Sequence, residues 1–338
     1  MENLHRLRGL KSWSASSLNL AQRCSFAYYL KYELNIKEIP LPRMVLGKHI
    51  HKWAHLFCKR YKKKGGIPFK SEESFYNQVK GDWIRNYYVK PIEKVSWSSK
   101  EEIFTLAKTL LKDLCINYYD MYKEETPLFT EHKFDFIIEG IRLRGAIDEI
   151  RKPSNGKYFI RDIKTGSPKP TKEELENKMQ FIIYALALGS LAHKHKEVRE
   201  QIGISNKDAE RWYGNPDYLN DKIIVEYLHL KSKETFPVSF TNLNYYNLLD
   251  AIEQTEKDQR EGNFFPTNKE KNPKICKFCP YGTIHTISTE NLVREEFEKR
   301  RVYERPNSKD LTLNLSAIPK FKEIVYPRNL SFRFPRKN

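Results

Sequence analysis

The stretch GKYFIRDIKTG, residues 156–166, sets an acid and a base one residue apart. Tyr158, Phe159, Ile160 and Ile163 read as a buried strand, and side chains two apart on a strand share a face. Asp162 and Lys164 therefore point the same way, while Ile163 between them points into the core. One reading is a rim ion pair on a solvated strand end, which would add little stability. A second acid opens a chemical reading. Asp148, in GAIDEI, lies near the far end of the preceding strand, and the turn at 153–157 folds the two strands side by side. Two such carboxylates can meet at one divalent cation, because magnesium takes a near-octahedral shell of oxygens and keeps several waters. The Ile163 backbone carbonyl is a candidate third protein ligand. Lys164 would stand beside the ion, where an ammonium stabilises developing negative charge or helps position an attacking water.

Three further side chains fall at spacings that bear on this chemistry. His51, in GKHIHKWAHLF, shares a helical face with His55 four residues on. His51 is either a packed or solvated imidazole or a fourth ligand, and a nitrogen donor suits manganese better than magnesium. Gln180 and Tyr184, in QFIIY, also lie four apart on one helical face. Together they could form a polar ledge against nucleic-acid phosphates.

The elements that must hold these residues follow from periodicity. A serine cluster opens SWSASSLNLAQRCSFAYYLKYEL, where Leu18, Ala21, Phe26 and Leu30 recur at helical spacing. A second helix is expected over about Val45 to Tyr61, closed by KKKGG. Residues 71–88 and 99–123 read as two more amphipathic helices. The pattern then alternates. PLFTEHKFDFIIEG, IRLRGAIDEIR and YFIRDIKTG predict an antiparallel meander with turns at EG and KPSNGK. TKEELENKMQFIIYALALGS predicts one helix, opened by a Thr171–Glu174 capping box. KIIVEYLHL and FPVSF predict two strands, and TNLNYYNLLDAIEQTEKDQREG a last helix. This order suits an α/β fold with helices around a small mixed sheet.

Composition narrows the partners. The 338 residues carry a formal net charge of +17, which favours an anionic partner such as nucleic acid, though a generally basic proteome would also give it. No run of eighteen apolar residues occurs, so no membrane span is expected. MENLHRLRGLKSW lacks the apolar stretch of a secretory signal, so the expected location is the cytoplasm. Five cysteines, an odd number, speak against a disulfide framework, and Cys58 and Cys115 sit in apolar helical patterns as expected buried thiols. Residues from about 290 onward are basic and rich in Pro, Arg and Asn, as befits either a nucleic-acid-contacting arm or a loosely docked tail.

Taken in order, SASSLNLAQRC, GKHIH, LRGAIDEI, FIRDIKTG, QFIIY and CKFC resemble the RecB-like branch of the PD-(D/E)XK nuclease superfamily over roughly residues 12–286. That branch includes the nuclease domains of bacterial recombination helicase–nucleases, CRISPR adaptation nucleases and phage exonucleases. The resemblance implies a restriction-endonuclease-like α/β core with a helical N-terminal region. It implies a nuclease domain over 1–290, with a helical insertion at about 52–125 and a metal-cluster-like segment at 276–285, followed by a basic tail at 291–338. It also implies that His51, Asp148 and Asp162 bind magnesium or manganese, that Lys164 is the catalytic lysine, and that Gln180 and Tyr184 contact DNA. Glu131 matches an acidic position ahead of the first motif carboxylate. Ser14 and Ser16 belong to the N-terminal motif, as caps.

The expected activity is hydrolysis of a DNA phosphodiester, most simply by an exonuclease on DNA ends or single strands in recombination, repair, replication or defence. A helicase or recombination partner is compatible with it, though the sequence does not reveal whether one exists. The rival reading is a DNA-binding subunit with little or no catalysis, and an RNA substrate is a third possibility. Many members of the branch hold a 4Fe–4S cluster on four cysteines. Here Cys24, Cys276 and Cys279 match three places and His285 stands at the fourth, while Ser25 follows Cys24 where proline is common. Three readings stay open: a cluster with His285 as fourth ligand, a structural zinc on the Cys3His set, or no metal.

Overall fold

The computed structural model describes residues 12–35, 38–166, 169–176, 178–213, 222–238, 242–261, 264, 276, 279 and 281. His285 and the basic tail from 291 lie outside the described residues. The chain divides into two compact units, one made of residues 1–15 and 41–248, the other of 16–40 and 249–338.

A six-stranded mixed sheet organises the first unit. Strand β2 (Phe129–Ile138) and strand β3 (Ile141–Ile150) form the long antiparallel ribbon that the alternation predicts. Glu139 and Gly140 join them, both at positive φ (48° and 76°), as a tight hairpin turn of matching twist requires. Asn155 and Gly156 take the same left-handed backbone (51° and 68°) before strand β4 (Tyr158–Lys164). Strand β5 (Ile223–His229) runs parallel to β4 along its whole length, and β6 (Glu234–Val238) closes that edge antiparallel. The remaining part of FPVSF lies outside the described residues. Strand β1 (Ser12–Trp13), which periodicity does not reveal, pairs parallel with β3 at Arg142 and Leu143.

Helices cover the sheet. Helix α1 (Ala15–Arg23) follows β1 in sequence and, from Ser16 on, belongs to the second unit; Ser14 sits just before its first residue, where a cap belongs, and Ser16 lies inside the first turn. Helix α3 (Pro42–Lys64) is longer than the expected Val45–Tyr61. Pro42 opens it, Lys62, Lys63 and Lys64 answer its C-terminal dipole, and Gly65 ends it at φ 71°. Its stripe of Leu46, Ile50, Trp53 and Phe57 packs on helices α4 (Glu72–Ile84), α5 (Lys100–Lys108) and α6 (Leu110–Tyr122). Residues 99–123 are thus two helices rather than one. They part at Thr109, whose hydroxyl donates back to the Thr105 carbonyl at 2.8 Å and competes with the helical ladder. The core of this helical layer reaches Ile163, Leu228 and Leu230 of the sheet.

The helix expected from Thr171 is also two pieces, α7 (Lys172–Glu176) and α8 (Met179–Lys194). The capping box is present: Thr171 N–H donates to Glu174 at 2.9 Å and Glu174 N–H to Thr171 Oγ1 at 3.2 Å. Lys178 is extended between the pieces, and its ammonium lies 4.6 Å from the Tyr227 ring centre. Two short helices, α9 (Lys196–Ile202) and α10 (Asn206–Trp212), follow α8 on the crossover from β4 to β5. Among the described residues, no helix is long and apolar enough to cross a membrane.

In the second unit, Cys24 caps helix α2 (Ser25–Tyr28), its Sγ accepting the Ala27 N–H at 3.4 Å. The Tyr29 ring packs on Phe264 with centroids 4.3 Å apart. Helix α11 (Asn242–Glu261) passes from the first unit into the second.

Candidate active site

The site begins where two strands separate. The β3–β4 ladder covers Glu149–Arg161 and Ile150–Ile160, and just beyond it the Arg151 N–H donates to the Phe159 carbonyl at 2.8 Å. One step in the other direction the ladder ends, and the Asp148 carboxylate takes its place: Oδ2 accepts the Ile163 N–H at 2.8 Å. The parted strands leave the Ile163 carbonyl open to a side chain from helix α3, and His51 Nε2 meets it at 3.0 Å. His51 Nδ1 lies 3.2 Å from Glu131 Oε1 and 3.6 Å from Asp148 Oδ2. Both ring nitrogens thus face acceptors, the pattern of a protonated imidazole. Burial opposes that charge, but Asp148 and Glu131 outweigh it and raise the pKa of His51 to about 9. His55 is structural: its Nδ1 lies 2.9 Å from Thr130 Oγ1, tying helix α3 to β2.

Glu131 reaches this cluster through an unusual backbone. The hairpin register pairs Thr130 with Glu149 and His132 with Ile147, which leaves Glu131 across from Asp148. Its φ of 50° is left-handed, a conformation that costs a non-glycine residue energy.

Asp162 is fully buried. Its Oδ1 accepts from Lys164 Nζ and from Gln180 Nε2, each at 2.8 Å. Lys164 Nζ is also 2.8 Å from Oδ2, but off the line of a hydrogen bond, so Oδ2 is buried with no hydrogen-bond donor among the described residues. Gln180 Nε2 donates as well to the Tyr184 hydroxyl at 2.8 Å, which in turn reaches Asp148 Oδ1 at 3.5 Å. The spacing of four on helix α8 therefore spans the two acids rather than forming a free ledge.

The charges shape one another. Burial raises the pKa of Asp148 to about 7, aided by Asp162 and opposed by His51, Lys164 and the Ile163 N–H. For Lys164 burial favours the neutral amine, but Asp162 and Asp148 outweigh it and hold the ammonium. Burial and the two carboxylates push the Tyr184 phenol far above its usual range.

Sequence reasoning placed Asp148, Asp162, Lys164, His51, Gln180 and Tyr184 in one constellation, and the structure brings all six together. It differs in detail. The donors that converge within 4.8 Å are His51, Glu131 and Asp148, with Asp162 held alongside by Lys164 and Gln180. His51 and the Ile163 carbonyl face each other instead of a shared point.

The residues fit a hard divalent ion on two observations: oxygen-rich donors with one imidazole converge, and a buried carboxylate oxygen lacks a hydrogen-bond donor. The family model that matches this chain is that of the PD-(D/E)XK nuclease superfamily, over residues 12–284. The chain belongs to the PD-(D/E)XK nuclease superfamily. It is therefore a nuclease, a phosphodiester hydrolase, by family. PD-(D/E)XK nucleases typically use divalent metals, which agrees with the His51–Glu131–Asp148 cluster. No curated protein matches the chain significantly.

Sequence reasoning missed the opposite face of the same PD-(D/E)XK strands. Glu149 and Arg161, the neighbours of the two acids, are buried. Arg161 donates to Glu226 at 2.7 Å and to the Tyr122 hydroxyl at 3.0 Å, and Tyr122 donates to Glu149. This buried network locks the strand pair from behind and so fixes where the acids emerge.

The cysteines of the second unit are grouped but not fused. The Cys276 carbonyl accepts the Cys279 N–H at 3.2 Å, the turn of a C-x2-C loop. Burial raises the pKa of Cys279, and the nearby Cys24 and Cys276 add to the rise. Among the described residues these three thiols form no group of ligands within 4.8 Å. His285 lies outside the described residues.

Proposed function

We propose that the protein is a metal-dependent deoxyribonuclease of the RecB-like branch, acting as an exonuclease on DNA ends or single strands. The observation that carries this reading is the buried Asp162 carboxylate, held by Lys164 and Gln180 alongside the His51–Glu131–Asp148 cluster, with one oxygen that accepts no hydrogen bond among the described residues. His51, Glu131, Asp148 and Asp162 would hold magnesium or manganese. When bound, such an ion supplies Lewis-acid polarisation of the phosphodiester and activation of water.

The chain's own groups do the rest. Lys164 keeps its proton and offsets negative charge as it develops on the phosphate. Gln180 fixes the Asp162 carboxylate, and Tyr184 bridges Gln180 to Asp148, so that neither acid can rotate freely. The residues 1–290 would form the nuclease domain with a helical insertion at about 52–125, and 291–338 a basic tail. Cys24, Cys276, Cys279 and His285 would hold a 4Fe–4S cluster, with zinc, or no metal and the thiols as packing, as the alternatives. A helicase or recombination protein is the expected partner.

The deciding assay follows end-labelled single- and double-stranded DNA, with RNA in parallel, in magnesium, manganese or chelator. Cleavage that needs the ion and disappears in Asp162→Ala and Lys164→Ala supports the reading. Unchanged cleavage in both variants removes the mechanism, and binding without cleavage in wild type favours a non-catalytic subunit. Iron and zinc analysis of anaerobically purified protein separates the two occupants of the cysteine site.

A further inference from the structure

A cleft of about 610 Å³ lies in the first unit, away from the acids. Its floor is the β2–β3 ribbon at Lys133 and Arg144, and its wall is the last turn of helix α8, at Leu191 and Lys194. Among small and apolar lining residues, the charged side chains are Lys133, Arg144 and Lys194 against a single acid. Lys133 and Arg144 are exposed, and neither has a hydrogen bond or ion pair with its side chain among the described residues. The one acid in the lining, Asp135, is already held by Arg142 through bonds of 2.9 and 2.7 Å. Lys194 spans toward the same strand, its Nζ 3.3 Å from the Asp135 carbonyl. A concave surface with unspent cations and its only acid neutralised is a receptor for anions.

The cleft is joined to the candidate active site by the elements that build both. Arg144, Ala146 and Asp148 alternate along β3, so Arg144 lies about 13 Å from Asp148 at roughly 3.3 Å per residue. Lys133 stands across from Ala146, two residues beyond Glu131 on β2. Helix α8 carries Gln180 and Tyr184 at one end and lines the cleft with Leu191 and Lys194 at the other. Ribbon and helix together lead from the acids to the cations.

We propose that this cleft is a backbone-phosphate subsite, which holds the stretch of a single strand a few nucleotides from the bond that is cut. The inference rests on the nuclease reading above. Lys133, Arg144 and Lys194 contact phosphates without reading bases, so the subsite adds affinity to any sequence long enough to reach it.

The test is fluorescence-anisotropy binding of labelled DNA single strands of increasing length, in chelator, over a range of salt, with cleavage measured separately. Affinity is expected to step up once the strand is long enough to reach the cleft. In Lys133→Ala/Arg144→Ala the long strands lose that step, and the slope of log K against log salt becomes shallower by about 0.7 for each contact removed. Lys108→Ala, an exposed lysine on helix α5, should keep both. An unchanged step and salt slope in the double variant overturn the subsite. Wild-type protein that shows the step yet cleaves nothing supports the cleft and removes only the catalytic reading, so the two failures are distinguishable.

Discussion

The Asp148 carboxylate accepts the Ile163 amide hydrogen at 2.8 Å, where a strand ladder would have supplied a carbonyl. The end of the β3–β4 pairing and the placement of the first acid are thus one event. Loss of the side chain would leave a backbone donor unanswered as well as removing a ligand.

The Asp162–Lys164 pair should show strong coupling. Lys164→Met strands a fully buried carboxylate beside Gln180 alone and is expected to cost about 3–5 kcal/mol of stability. Asp162→Asn/Lys164→Met should recover most of that stability but none of the activity, which stays down by about a hundredfold or more. Urea unfolding alongside single-turnover cleavage checks both. Additive stability losses would remove the coupling.

Metal binding should be visible without any substrate. At a hundredfold excess over its Kd, manganese is expected to stabilise the folded protein by about 2.7 kcal/mol, and chelator should abolish the gain. Asp148→Asn should lose the effect and Glu131→Gln weaken it. Scanning calorimetry reports this directly; equal melting with saturating ion and with chelator in the wild type speaks against the site.

The network behind the acids should govern stability. Arg161→Met removes the cation that Glu226 and Tyr122 share, and is expected to cost about 3–5 kcal/mol. Adding Glu149→Leu and Glu226→Leu should return much of it, since an apolar replacement of a buried ionic cluster is often close to neutral. The denaturation midpoints of the single and triple variants decide the matter.

Alkali should unfold the helical layer. Burial pushes the Cys58 thiol up to about 12 from an ordinary 9.0, and raises Cys115 likewise. The native state therefore keeps protons that the unfolded chain sheds, so stability is intact below about pH 9 and falls as pH climbs from 9 toward 12. Urea midpoints across that range should decline, and less steeply in Cys115→Ala. A slope unaffected by the substitution would argue against the buried thiols as its source.

Gly145 is required by its neighbour. A Cβ there would lie 2.7 Å from Cζ of the buried Phe134 ring, which covers the glycine from the facing strand. Gly145→Ala is expected to destabilise by about 1–3 kcal/mol through overpacking. Gly145→Ala with Phe134→Leu should recover part of the loss in a thermal-melt comparison.

The ribbon and its turns were legible because alternation has a strict period and EG and NG admit few backbones. That register alone also puts Glu131 across from Asp148, a signal open to anyone who pairs the strands around the Glu139–Gly140 turn. Other features left no trace. A two-residue strand such as Ser12–Trp13 has no period to detect. The breaks at Thr109 and Lys178 interrupt apolar stripes that continue across them. Nothing in the sequence marks Glu149 and Arg161 as buried, and their partners from distant segments, Tyr122 and Glu226, explain their burial. The cysteine spacing could be read, but among the described residues the three thiols form no ligand group, and the fourth position, His285, lies outside them.

The contact between His51 and Ile163 joins residues 112 positions apart, and Gln180 and Tyr184 follow later still in the chain. Closing so wide a loop is slow and comes after local helices have formed. A growing polypeptide on the ribosome would thus carry its helical first third long before it owned a working centre. A polypeptide that stops before Tyr184 therefore lacks part of the centre, whatever helices it has already formed.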